Sequence, residues 1–147
     1  MLTYQQEFLH SICGQIDPLI DDEWEEVCEE DVKPEIDWDA AFDLEAAGAL
    51  FAFTARAAGE LVGYCIVVKH TSLANKSLVI ADSQALFVVK DYRKTSVASS
   101  ILTLAMDVMA TEGANRFVVS AEMKANIKPL MSKLGFKETE LKFGRKL

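Results

Sequence analysis

The stretch LFVVKDYRKTSVASSILTLAMDVMATEG, residues 86–113, reads as a buried strand, a short charged turn and a long amphipathic helix. The helix presents Val97, Ile101, Leu104, Ala105, Val108 and Met109 at three- and four-residue spacing and stops at Gly113. A turn that feeds a helix N-terminus is a natural anion site, because the first N–H groups lack partners and the dipole is positive there. Turns that hold phosphates are usually rich in glycine, yet residues 90–100 contain none. The question is whether this turn binds a phosphorylated cofactor or only joins two elements.

Downstream, RFVVSAEM reads as a short buried strand. Asn126 can cap a helix through IKPLMSKLG, with Pro129 in its first turn and Gly135 as its stop. FKETELKFGRKL closes as another strand or hairpin. Upstream, LVIADSQALFVV is a long strand whose polar interruption, Asp82 to Gln84, predicts a bulge or a site-facing patch. Before it, ALFAFTARA and LVGYCIVVKH flank the turn AAGE as an antiparallel hairpin, and TSLANKS is a polar loop. Residues 1–14 are open to two readings: Phe8, Leu9, Ile12 and Cys13 could share a helical face, and Leu2 and Tyr4 could begin a strand. A helix is expected from Asp17 as N-cap with Pro18 at its first position, carrying Leu19, Ile20, Trp24, Val27 and Cys28. Asp37 or Asp39 can cap a second, short helix that Gly48 ends. Helices, antiparallel strands and then a strand–helix–strand crossover predict an α/β (α+β) protein with a mixed sheet and helices on both faces.

With 147 residues, half of them apolar and a quarter charged, the chain is expected to form one globular domain, 1–147. No apolar run is long enough to span a bilayer, and the first residues lack the pattern of a secretion signal, which predicts a cytoplasmic protein without a membrane partner. Cys13, Cys28 and Cys65 are widely spaced, which fits reduced thiols and neither a disulfide framework nor a metal site. Cys28 lies among acids, which raise a thiol pKa, so a catalytic cysteine is not expected there. The net charge of −8 is unevenly spread: residues 1–45 hold fifteen acids and one lysine, residues 46–147 eight acids and fourteen bases. This is either a solvated acidic face or a two-sided site, with a cationic ligand on the acidic half and an anionic one on the basic half. The bases are spread singly with no aromatic stacking run, so nucleic acid is not expected as a partner.

The order of these elements, with Arg93-Lys94-Thr95-Ser96-Val97-Ala98 at the turn and KLGF at residues 133–136, resembles the GNAT superfamily of acetyl-CoA-dependent N-acetyltransferases. The likeness covers essentially the whole chain, with Gly63, Gly113 and Gly135 as further landmarks. The N-terminal helices and the closing ELKFGRKL look like small GNAT proteins found in phage genomes, which would place the chain in a host cytoplasm. The resemblance implies a mostly antiparallel sheet of six or seven strands, splayed between the fourth and fifth. It implies that the pyrophosphate of coenzyme A lies on the backbone of Arg93, Lys94, Thr95, Ser96, Val97 and Ala98. It places the pantetheine arm beside Phe87, Val88 and Val89, with Asn126, Lys128 and Lys94 near the cofactor. The chain departs from the family turn where Ser96 stands for glycine.

Attack on a thioester needs a neutral amine and therefore a base. Asp82, in the polar break of the fourth strand, matches the position of a glutamate base in some GNAT enzymes; Glu26, on the acidic helix, is the next candidate. His70 closes a strand and could also act or could simply be exposed. Many relatives use a tyrosine shortly before the GF pair to protonate the thiolate; here Met131 stands there, leaving Ser120, Tyr92 or water. The resemblance thus implies direct acetyl transfer to a primary amine of a cationic small molecule or protein, without a metal. The alternative is a catalytically silent GNAT-fold binding protein, such as a phage protein acting on a host factor. A strand edge at ELKFGRKL would allow a homodimer.

Overall fold

A computed structural model of the chain describes residues 1–27, 33–121 and 126–147. The elements in chain order are β1 (Leu2–Glu7), α1 (Leu9–Val27), α2 (Trp38–Ala46), β2 (Leu50–Ala57), β3 (Glu60–Thr71), β4 (Val79–Val88), α3 (Val97–Thr111), β5 (Arg116–Val119) and α4 (Lys128–Lys133), with a 3-10 turn at Lys90–Tyr92. The described strands form one sheet in the order β1-β2-β3-β4-β5, antiparallel except for the parallel β4–β5 pair.

The period-2 alternation of the strands sorts their side chains onto two faces. Leu50, Ala52, Tyr64 and Phe87 pack with Leu9, Ile12 and Ile16 of α1, and with Trp38 and Phe42 of α2. Phe51, Phe53, Cys65, Val67 and Val88 pack with Val97, Ile101, Leu102, Ala105 and Met109 of α3, and α4 adds Leu130, Met131 and Leu134 there. The sheet is therefore sandwiched between α1/α2 and α3/α4, as the apolar spacing of residues 97–109 requires.

The β2–β3 hairpin turns on Ala58 (φ 49) and Gly59 (φ 87), two consecutive left-handed residues that suit the twist of the strands. At Gly63, α3 and the neighbouring strand leave no room for a side chain: a Cβ there would stand 3.0 Å from Ile101 Cδ1 and 3.1 Å from Phe87 O. Because the facing oxygen is backbone, Gly63→Ala should destabilise the protein by ~1–3 kcal/mol through overpacking. An unchanged midpoint in urea would contradict this packing.

Several expectations are corrected. The sheet has five described strands, not six or seven. Residues 136–147, read as a closing strand or hairpin, form no regular element; alternation alone does not make a strand where Glu, Lys and Gly are frequent and no neighbour pairs. The helix expected from Asp17 begins at Leu9 and carries Pro18 inside it. Burial of Leu9, Ile12 and Ile16 against the sheet outweighs the lost hydrogen bond at Pro18. Both readings of residues 1–14 apply, in succession: a strand to Glu7 and then the helix. Of the two candidate caps for α2, Asp37 fills the role, its Oδ1 accepting from Ala40 N at 2.9 Å. Asn126 is not the cap of α4; Ile127 holds that place without a side-chain bond. Cys28 lies outside the described residues.

Two polar clusters fasten α1. The Glu45 carboxylate of α2 accepts from the N–H groups of Leu9 and His10, satisfying the otherwise orphaned donors that open α1. Glu7 on β1 forms a two-pronged pair with Arg56 on β2, at 2.9 and 3.1 Å, and accepts from Thr54, while Arg56 reaches Gln15 of α1 at 2.9 Å. Burial would raise the Glu7 pKa, but the hydrogen bonds of Arg56, Thr54 and Gln5 and the Arg56 charge outweigh it and hold it below the ordinary 4.5. A lowered carboxyl pKa stabilises the fold above the unfolded value, and this contribution is lost as pH falls through the folded one. Glu7→Gln should therefore be less stable than the parent at neutral pH and show a flatter loss of stability below about pH 4.5. Parallel stability–pH curves for the two proteins would contradict that reading.

Candidate active site

The site is built by a break in the sheet. On β4 the register with β3 jumps from Ala85↔Ile66 to Ser83↔Val67, which leaves Gln84 as an extra residue. The polar interruption of the sequence is thus a bulge. The bulge resets the alternation. Before it, Ala81 faces α3, so Asp82, paired with Val68, faces α1 and α2. After it, Ala85 and Phe87 face α1 and α2, while Leu86 and Val88 face α3.

β5 pairs with β4 only at residues 80–83, the last rung being Ser83↔Val119. Beyond the bulge β4 runs on to Val88 without a described partner on that side. A fork opens there and leads straight to the turn before α3. The N–H of Val89 donates to Val62 O of β3 at 2.9 Å. By alternation the backbone groups of Phe87 and Val89 face β3, and those of Leu86 and Val88 face the fork. The Val88 carbonyl accepts from Arg93 Nε at 2.8 Å, and the Arg93 guanidinium lies 5.5 Å from the Phe87 ring centre. Leu86 is a fork residue that the sequence did not single out, because facing depends on the β3 register.

The turn forms without glycine. Ser96, where the family has glycine, has φ −81, which any residue adopts, and the left-handed residue is Lys94 at φ 61. Thr95 Oγ1 donates to the Tyr92 carbonyl and accepts from Val97 N at 3.3 Å, which closes the turn. The bond from Ser100 N to Ser96 O, 2.9 Å, is the first of α3, so the N–H groups of Ala98 and Ser99 lie ahead of the helical ladder.

Among the candidate chemical groups, Asp82 is partly exposed, at 26%, and its Oδ2 lies 3.9 Å from His70 Nε2, an ion-pair separation too long for a direct hydrogen bond. Ser120 is exposed one residue past the last β4–β5 rung, at the point where the strands part. Asp82 lies one rung before the fork and Ser120 one residue past its last rung, while His70, opposite Ile80, approaches Asp82 from the closed end of the ladder. Tyr92 does not join them: it packs with the α3-side core and its backbone holds the turn. Met131 is part of that same core. Lys128 opens α4 and pairs with Glu138 at 3.1 Å, and Asn126 is exposed just before it. Glu26 lies on the last turn of α1, and its side chain is outside the described residues.

The sequence reading missed one buried polar pair. Tyr64, 1% exposed, donates its hydroxyl to Glu23 Oε2 at 3.0 Å, joining α1 to β3, with the Phe87 ring centre 5.9 Å away. Burial, and then the Glu23 charge and hydrogen bond, push the Tyr64 pKa far above its usual range, so it remains a donor. Burial also pushes the Cys65 thiol up to about 12 against an opposing hydrogen bond from Ser83, which leaves it inert. No group of three or more metal-ligating side chains occurs among the described residues. No helix among them is long and apolar enough to cross a membrane.

The bulged, forked sheet thus opens onto the N-terminus of the following helix. The chain belongs to the acetyltransferase (GNAT) family, whose model matches residues 15–136. Among solved structures, an aminoglycoside acetyltransferase from an uncultured soil metagenomic sample is 20% identical with a TM-score of 0.77, over 100% of this chain and 99% of that one. AAC(6')-Iy in complex with the bisubstrate analogue CoA-S-monomethyl-acetylneamine is 19% identical with a TM-score of 0.77, over 100% and 99%. A ribosomal-protein-alanine N-acetyltransferase from Brucella melitensis biovar Abortus 2308 is 15% identical with a TM-score of 0.74, over 99% of both chains. At these identities the likeness establishes the fold. None of the curated proteins searched matches the chain.

Proposed function

We propose that the chain is an acetyl-CoA-dependent N-acetyltransferase that passes the acetyl group directly to a primary amine of a cationic acceptor. The observation that carries this reading is the fork: β4 loses β5 after Ser83 and leads into α3 with the N–H groups of Ala98 and Ser99 uncommitted. The residues present fit coenzyme A, since the turn needs no glycine at Ser96 to take its shape. The Ala98 and Ser99 donors receive the pyrophosphate, with Lys94 of the same turn as a cation for it. The Val88 N–H and the Leu86 backbone groups face the pantetheine arm. When bound, acetyl-CoA supplies a thioester whose acyl carbon an amine can attack.

Asp82 takes the proton from the incoming ammonium, directly or through one water, and His70 stands beside it. Ser120, one residue past the last β4–β5 rung, is the donor assigned to the departing sulfur. On the same face as Asp82, a groove of about 480 Å³ between α1 and the segment before α2 is lined by Asp17, Ile20, Asp21, Glu35 and Trp38 and by Lys33, which pairs with Asp21 at 3.0 Å and leaves Asp17 and Glu35 as its unbalanced acids. Its acids suit a cation and its apolar walls a carbon skeleton. The structural relatives act on acceptors as different as aminoglycosides and a ribosomal protein by their descriptions, so the fold does not choose among amines.

The test is an acceptor screen. The protein is incubated with acetyl-CoA and with polyamines, aminoglycosides and peptides bearing free N-termini, and free thiol and acetylated product are both read. Acetylation of a cationic amine is expected. Acetyl-CoA binding with no acetylated amine would favour the silent binding protein instead. That second reading rests on Met131, which sits in the core and offers no proton, and on the sequence likeness to small phage GNAT proteins.

A further inference from the structure

The helix α1 is not held evenly along its length. Its first half lays Leu9, Ile12 and Ile16 on the sheet, all of them buried, and is fastened further by Glu45 and by the bond from Arg56 to Gln15. The second half, from Asp17, has no buried side chain among those described; Leu19 and Ile20 are only partly covered. Pro18 stands between the halves. It has no N–H, so the Gly14 carbonyl lacks its helical donor where the halves meet, and a missing rung at a proline is where a helix bends. Farther along, the Trp24 indole N–H is covered and has no acceptor among the described residues, which costs free energy. Packing alone makes the second half the weaker part of the helix.

The polar tie of that half to the sheet is the bond from the Tyr64 hydroxyl to Glu23 Oε2, 3.0 Å. Glu23 is one helical turn past Ile20 and two residues past Asp21, and both of those line the groove assigned to the acceptor. Holding Glu23 therefore holds a wall of the groove. On the sheet, Tyr64 pairs with Phe87, whose neighbours Leu86 and Val88 face the fork. The pair thus stands between the groove wall and the strand edge assigned to the cofactor.

We infer that Tyr64 is a positioning residue: through Glu23 it latches the second half of α1 and so sets the wall against which the acceptor amine is bound. Tyr64 is too deeply buried to touch either substrate, and its effect passes through Glu23. The consequence for amine affinity rests on the acetyl-transfer reading above; the latch itself does not.

Tyr64→Phe removes the hydroxyl and keeps the ring beside Phe87. Hydrogen exchange of the full chain, read by mass spectrometry, tests the latch without any substrate. At labelling times too short for β3 to exchange in either protein, amides of residues 17–27 should exchange at least ~10-fold faster in the variant, and those of residues 9–16 within ~2-fold of the parent. The second readout uses saturating acetyl-CoA and the best acceptor among the polyamines, aminoglycosides and peptides of the screen. KM for the amine should rise ~10-fold, with kcat and the dissociation constant of acetyl-CoA within ~3-fold of the parent. Glu23→Gln still accepts from the hydroxyl and should stay within ~3-fold of the parent in both readouts. Parental exchange of residues 17–27 in Tyr64→Phe overturns the proposal, as does faster exchange with an unchanged KM. An equal rise in KM in Glu23→Gln also overturns it, because the carboxylate charge and not the latch would then be at work. If the parent acetylates no amine, the proposed function fails, and the exchange result alone upholds or overturns the latch.

Discussion

Ser96→Glu should lower the affinity for acetyl-CoA at least ~100-fold, or ~2.7 kcal/mol, while leaving the fold intact. Ser96 is the N-cap of α3 and is exposed. A carboxylate there is compatible with the helix dipole, so the melting temperature should change little. The same carboxylate would stand where the pyrophosphate is held by Ala98 and Ser99. Like charges a few ångströms apart on a partly dehydrated surface account for a loss of this size. Calorimetric titration of both proteins measures it. An affinity equal to that of the parent would remove the turn from the cofactor site, whatever the activity.

Asp82→Asn should reduce kcat by ~10²–10³-fold while leaving the dissociation constant of acetyl-CoA within a few-fold of the parent. The amide keeps the size of the side chain and cannot accept the ammonium proton. Asp82 faces α1 and α2, away from the backbone edge assigned to the cofactor, so binding and chemistry should separate. A steady-state assay with a saturating amine gives kcat. An Asn variant with parental kcat would shift the proton transfer to water or to His70, and the His70→Gln substitution would then be the informative comparison.

The parts of this site visible in the sequence are those that local pattern specifies. Residues 86–113 form strand, turn and helix as their periodicity requires, because the apolar stripe at Val97, Ile101, Ala105 and Met109 is itself local even though it is buried on β2 and β3. The polar break at Asp82 to Gln84 marked the bulge, since polar groups in an apolar strand need a reason to be there. Which residue is extra depends on the pairing with Ile66 and Val67, and no local signal carries that. The same limit applies to the turn: its left-handed backbone falls on Lys94 and not on Ser96, where the family has glycine.

Long-range partnerships were invisible for the same reason. Tyr64 and Glu23 are 41 residues apart, and Tyr64 reads as one more apolar strand residue until α1 is laid over it. Pro18 looked like a helix start because local preference favours it there, but the stripe from Leu9 to Ile16 already had a sheet to cover. The tail has the opposite history. Its alternation of Leu141 and Phe143 with charged residues was legible as a strand, yet a pattern without a partner remains a pattern.

The measurement that bears most directly on the account is calorimetric titration of the unmodified protein with acetyl-CoA, repeated with desulfo-CoA. Binding of both ligands with dissociation constants on the order of micromolar is expected, because the turn and the fork hold the pyrophosphate and the arm, not the sulfur. Absence of heat and of binding up to millimolar ligand would contradict the account: the fork would then be a feature of the fold without its cofactor.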